Sequence, residues 1–349
     1  MDRSERGEAN VLAHLARCRV LGRLGSGGMA EVFLLEHGAR RVALKRMHRS
    51  LARQPDQVAM FLHEARVFMR TAHPYVVRFY GAARVDGVPC VAMEHVEGVT
   101  LEVLLARAGR YGGIPVDHAV AILADVAAAL DWVHQLRDER GHPLQIVHRD
   151  VTPKNIMIGF DGRVRLLDFG IAKSTQARAQ TRPGMTRGVL SYLPPEVFLG
   201  QRCGPAGDQF SLGVCLFEAL TGRPLYRFAR AQETREAIVA GPVPSLTERC
   251  AVRVRLDAVV RRALAKTPKA RFTSAGELSA ALRDQLSSTP DLAALTRVWF
   301  AVERQRPTHL DPTAFGARWP NEPPRVEPMS IGDSTAHEVV AAREPTGAN

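Results

Sequence analysis

Asp150, Lys154 and Asn155 stand close together in His148-Arg149-Asp150-Val151-Thr152-Pro153-Lys154-Asn155, and a second carboxylate follows in Asp168-Phe169-Gly170. A carboxylate, an ammonium, an amide and a second carboxylate, in that order, are what phosphoryl transfer needs: a base, a charge clamp and oxygen ligands for a metal ion. Upstream, Leu24-Gly25-Ser26-Gly27-Gly28-Met29-Ala30-Glu31-Val32 is a glycine-rich turn whose bare backbone can lie over phosphates. Lys45 ends the apolar run Val42-Ala43-Leu44, where a buried ammonium needs a partner. Taken singly, each feature has a plain structural use. Asp150 could cap a turn, the glycines could shape a hairpin, and Lys45 could reach water from an edge strand. Their combination and order argue for a site.

The elements that must position these groups change character along the chain. Arg19–Leu24, Glu31–Leu35 and Arg41–Lys45 read as short strands punctuated by turns, which predicts an antiparallel meander. Helical spacing follows at Val58, Phe61, Leu62, Ala65 and Phe68, with Glu64 on the same stretch, and Val88–Met93 predicts a further strand. After Gly98 helices dominate. Ala119, Ile122, Leu123, Val126, Leu130 and Val133 mark one buried helical face, with Asp117 as its expected N-cap. Ile156–Ile158 and Val164–Leu167 bracket the turn dipeptide Asp161-Gly162, which would bring Asn155 and Asp168 together. Further helices are expected near Asp208–Leu220, Leu256–Ala265 and Ala275–Leu286. A dinucleotide-binding loop is excluded because Glu31-Val32-Phe33-Leu34 continues as strand, and a Walker loop because Gly-Lys-Ser/Thr is missing.

In the order of these motifs the chain resembles a bacterial eukaryotic-like serine/threonine protein kinase. The resemblance implies an α+β, two-lobed protein kinase fold: a small antiparallel β-sheet N-lobe with one main helix at 19–96, and a larger, mostly helical C-lobe at 97–286. It implies Mg²⁺ and ATP, with the glycine turn (Leu24, Gly25, Ser26, Gly27, Gly28), Val32, Lys45, Met93, Glu94 and Val96 around the nucleotide. The adenine would contact the Glu94 carbonyl and the Val96 N–H. Asp150 would be the catalytic base, Lys154 a charge clamp typical of serine/threonine acceptors, and Glu64 the partner of Lys45. Asn155 and Asp168 would hold the metal. Arg149, Thr181 and Thr186 would serve control through autophosphorylation. His148 would pack with Phe68, Phe79 and Phe169, Asp208 would anchor the catalytic loop, and Glu196 would pair with Arg271. Two positions depart from the family pattern: Ala30 stands where a third glycine is usual, and Val189 where a threonine is usual. These two positions support a nucleotide-binding scaffold without transfer as an alternative, and the His-x-Asp-x4-Asn pattern, which small-molecule kinases share, leaves a small-molecule phosphotransferase as another.

Composition sets the outer limits. The 349 residues carry a formal charge of +11, but the arginines are scattered and form no patch, so nucleic acid is not an expected partner. Five cysteines, with no pair at zinc spacing, suit a reduced, cytoplasmic setting. No secretory leader or membrane anchor is expected. The expected partners are protein substrates with Ser or Thr acceptors, and a transient homodimer for phosphorylation in trans. Residues 1–18 read as an extension, and 287–349 as a tail with one helix over 291–304 and then disorder.

Overall fold

The computed structural model describes residues 15–68, 72–168, 190–301 and 325–329, with backbone alone for residues 16, 63, 64, 66–68 and 328. Strands β1 (Arg19–Ser26), β2 (Ala30–His37) and β3 (Arg40–Met47) form the expected meander. Helix α1 (Pro55–Phe68) follows, then β4 (Phe79–Val85) and β5 (Val88–Glu94). A last strand, β9 (Val326–Pro328), comes from the far end of the chain and pairs with β4, so the sheet order is β1-β2-β3-β5-β4-β9. This corrects the expectation that the tail beyond its helix lacks regular structure. Its composition disfavours independent folding, yet an existing sheet edge supplies the hydrogen-bond partners that three residues cannot supply themselves.

The second lobe starts at β6 (Gly98–Thr100), which pairs with β7 (Ile156–Gly159), itself paired with β8 (Val164–Leu166). Helices α2 (Leu101–Ala108) and α3 (Val116–His134) come between. Eleven residues of α3 are buried, including all six of the predicted face. The N-cap expectation is corrected: the helix begins after Pro115, and Asp117 lies in its first turn. There the Asp117 carboxylate accepts from the Ser287 N–H at 3.2 Å and the Ser288 hydroxyl at 3.3 Å.

Further helices include α4 (Pro205–Thr221), α5 (Ala231–Val239), α6 (Val254–Ala263) and α7 (Ala275–Arg283), and α8 (Leu292–Trp299) lies against the lobe. From Gly207 to Thr221 α4 is buried on all sides, so this helix is the axis of the lobe. Two acceptors on α3 fix α7: the Ser279 hydroxyl donates to the Ala124 carbonyl at 2.8 Å, and the Gly276 N–H donates to Asp131 Oδ1 at 2.7 Å. A Cβ on Gly276 would fall 2.7 Å from the Asp131 carboxylate, so glycine permits the approach. Cys90 and Cys215 are buried free thiols, and burial pushes the Cys90 thiol up to about 12. No described helix is long and apolar enough to cross a membrane.

Candidate active site

Asn155 and Asp168 sit beside the ends of β7 and β8, whereas Lys45 lies within β3. Lys45 lies mid-sheet, opposite Val32 of β2 and Val91 of β5, so its ammonium can only leave the sheet through one face. It meets Asp168, just past β8, with Nζ–Oδ1 at 2.7 Å. One residue from each lobe is thus joined across 123 positions of sequence. Asp168 holds φ +36° and Arg149 φ +61°, left-handed values that non-glycine residues rarely take. Both flank the reacting groups, where such strain is commonly concentrated.

Asp150 and Asn155 form a second pair. The Asn155 amide donates Nδ2–H to the Asp150 backbone carbonyl at 2.9 Å and to its Oδ2 at 3.0 Å. That fixes the amide so that its oxygen points away from Asp150 and can serve a cation. The Leu167 N–H donates to Asn155 O at 2.8 Å, which sets Asn155 beside Asp168, as the hairpin reading predicts. Among the described residues no group of three or more His, Cys, Asp or Glu side chains forms a metal cage. An amide and a carboxylate alone suit Mg²⁺, a hard ion that takes few protein ligands and completes its shell with phosphates and water.

The loop carrying Asp150 hangs from a single buried carboxylate. Asp208, near the start of α4, accepts from the His148 N–H and the Arg149 N–H at 2.8 Å each, and from His134 Nε2 at 2.8 Å. Burial works against its charge, yet the His134 bond and these N–H groups win and hold the carboxyl below the usual range. His148 does more than pack. Its Nε2 lies 3.0 Å from Leu167 O, and its Nδ1 accepts from the Asp150 N–H at 3.2 Å. One donor and one acceptor define a neutral imidazole, and complete burial keeps its pKa down. The ring therefore spaces Asp150 from the end of β8.

The glycine turn is open above. A Cβ placed on Gly25 or Gly28 would meet nothing within 4 Å, and the Gly27 N–H closes the turn on Ala30 O at 2.8 Å. Ala30 is buried against Met47, so the family's third glycine is replaced where the backbone has already entered β2. Leu24 and Ser26 are exposed at the rim. His48, which the sequence reading missed, holds Gly27 O through Nε2 at 2.7 Å. Its signal was its place after β3, level with the start of β2. At the junction of the lobes Met93 is buried, Glu94 pairs with Arg165 at 3.4 Å, and the Val96 N–H has no partner among the described residues.

The Lys154 ammonium lies 3.7 Å from Glu102 on α2, with two thirds of the side chain exposed. Arg149 has no ion pair among the described residues. Glu64 is on α1 by its backbone, its side chain outside the described set, as are Phe68's side chain, Phe169, Thr181, Thr186 and Val189. The expected Glu196–Arg271 pair is present and bidentate, both bonds at 2.8 Å.

A family model described as the protein kinase domain matches residues 18–284. The chain belongs to the protein kinase family. This kinase is 36% identical over 275 residues to tyrosine-protein kinase MasK of Myxococcus xanthus, covering 76% of the chain and 42% of that protein. It is 34% identical over 311 residues to serine/threonine-protein kinase PknH of Mycobacterium bovis, covering 88% and 50%. The chain thus spans about half the length, or less, of these curated relatives. Among solved structures, the PknI kinase domain of Mycobacterium tuberculosis superposes with a TM-score of 0.56 at 30% identity, over 77% of this kinase and 96% of that domain.

Proposed function

We propose that the chain transfers the γ-phosphoryl group of Mg-ATP to serine or threonine hydroxyls of protein substrates. The observation that carries this reading is the Lys45–Asp168 contact at 2.7 Å, with Asn155 and Asp150 bonded to each other beside it. The acceptor oxygen attacks the γ-phosphorus, the bond to the β-phosphate oxygen breaks, and the acceptor proton passes to the Asp150 carboxylate. Lys45 steadies the α- and β-phosphates, with Glu64 as its second partner. Asn155 Oδ1 and Asp168 would hold Mg²⁺, which supplies charge neutralisation on the phosphates. The open glycine turn covers the phosphates, and Met93, Glu94 and Val96 frame the adenine. Lys154, at the cleft mouth, takes a place where it meets the incoming substrate. Arg149 answers a phosphate on Thr181 or Thr186, placed by autophosphorylation in a transient homodimer. The setting is cytoplasmic signalling.

Purified chain incubated with labelled Mg-ATP and a protein substrate should incorporate label, and Asp150→Asn should lower the rate by about 10²–10⁴-fold. Lys45→Met should weaken nucleotide binding and abolish transfer. Nucleotide binding without label on any protein would leave a scaffold instead. A tyrosine acceptor is the second reading, favoured by the 36% identity to a relative named as a tyrosine kinase. Phosphoamino-acid analysis separates the two.

A further inference from the structure

Beside the catalytic loop lies a cavity of about 360 Å³ that phosphoryl transfer itself does not use. Glu102 of α2, Pro153, Tyr192, Glu218 of α4, Arg223 and Arg227 line it. Pro153 stands three residues after Asp150, so the cavity opens within about 10 Å of main chain from that carboxylate, a span an extended peptide covers in about three residues. The walls are fixed by bonds of their own. The Ser191 hydroxyl donates to Tyr226 O at 2.7 Å, and Gly222, at φ +64°, turns the chain at the end of α4 and leads into Arg223. Both Glu218 oxygens are taken, Oε2 by the Tyr192 hydroxyl at 2.7 Å and Oε1 by the Leu225 N–H at 3.2 Å. Glu102 faces the Lys154 ammonium at 3.7 Å. Arg223 and Arg227 are exposed, and among the described residues neither guanidinium has an ion pair or a hydrogen bond.

We propose that this cavity is a substrate subsite in which Arg223 and Arg227 take an anionic side chain, carboxylate or phosphorylated, about two to four residues from the acceptor hydroxyl. A cationic substrate residue finds no open carboxylate here, because Glu218 is buried and twice bonded and Glu102 already faces Lys154. An anion finds two guanidiniums, each a planar fork of N–H donors suited to a carboxylate or a phosphate. Arg227 acts on the Glu218 charge only from beyond ion-pair range, so its donors stay available. Ion pairs at so exposed a rim contribute modestly each, so the subsite sets preference among substrates and does not drive turnover. That the anion belongs to a phosphate acceptor rests on the phosphotransfer reading; the chemistry of the subsite does not.

The test uses the full chain with Mg-ATP and threonine peptides on an alanine-glycine background. Glutamate, phosphoserine, glutamine or lysine is placed at each position about two to four residues from the threonine, on either side. At the best position the glutamate or phosphoserine peptide should exceed the glutamine peptide in kcat/KM by about 5-fold or more, the combined worth of two exposed ion pairs, and lysine should fall below glutamine. Phosphoserine well above glutamate identifies a primed substrate, and glutamate level with it an acidic one. Arg223→Gln/Arg227→Gln should erase the preference, the loss lying in KM for the anionic peptides. Arg223→Glu/Arg227→Glu should turn the preference towards lysine, a reversal that a merely structural role would not produce. Arg255→Gln, which removes an exposed charge on α6 away from the cavity, should leave it in place. Equal rates for all peptides, a preference for lysine, or an anionic preference that survives the glutamine pair overturns the subsite. If no peptide is labelled, fluorescence anisotropy of the same peptides, tagged, judges the arginines: tighter binding of the anionic peptide to the parent than to the glutamine pair upholds anion capture, and equal binding overturns it. Absence of label on any protein as well sinks the phosphotransfer reading.

Discussion

Asp208 shows how one side chain can organise a site it does not enter. Its carboxylate satisfies the two backbone N–H groups that precede Asp150, so Asp208→Ala leaves both without a partner in a buried place. Each orphaned group costs about 1–3 kcal/mol. Urea unfolding should show that loss, and phosphotransfer should fall further than nucleotide affinity, because Asp150 moves while the sheet does not. His148 sets a pH dependence. Its folded form stays neutral, whereas the unfolded side chain takes a proton near 6.5. Below that value the unfolded state binds more protons, so stability is full above pH 6.5 and is lost as pH falls towards the lowered folded pKa. His73, half-buried and stacked on Trp132 at 5.0 Å, is shifted the same way and adds to the effect. Melting scans at about pH 7.5 and about pH 5.5 should show the lower Tm in acid, with a smaller gap in His73→Phe.

At the scale of elements, backbone approach matters more than side-chain chemistry. Gly98 opens β6 so close to β7 that a Cβ would stand 2.2 Å from Ile158 O. Gly98→Ala should therefore part the two strands just past the junction of the lobes and cost about 1–3 kcal/mol, read by chemical unfolding. The sequence disclosed β1–β3, the buried face of α3 and the β7–β8 hairpin, because alternation, helical period and a turn dipeptide are local signals. It disclosed Lys45, Asp150, Asn155 and Asp168 through order and spacing. Other features were hidden for physical reasons. β4, Phe-Tyr-Gly-Ala-Ala-Arg-Val, shows no regular apolar–polar alternation. β9 exists only because β4 is already there. The His48 bond to Gly27 depends on strand register, and the turning of Lys154 towards Glu102 depends on where α2 lies.

At the scale of the whole molecule, the C-lobe is tied below the site by Arg271 and Glu196, both almost fully buried. Arg271 also donates to the carbonyls of Ala265 and Ala206, so its guanidinium joins three segments. Arg271→Ala would strand a buried carboxylate and should cost about 3–5 kcal/mol. Equilibrium denaturation of the two variants should show Glu196→Gln, which keeps a neutral partner, costing less. The six-stranded sheet has a further consequence for the fate of the protein in a crowded solution. One margin, β1, bears the charged Arg19 and Arg23, which discourage stacking by another chain. The other would be β4, rich in buried Phe79, Ala82, Ala83 and Val85, with Arg84 as its one charged residue. By covering that margin β9 acts as a stopper against self-association, so kinase stripped of it is expected to precipitate or form oligomers at concentrations the intact chain tolerates.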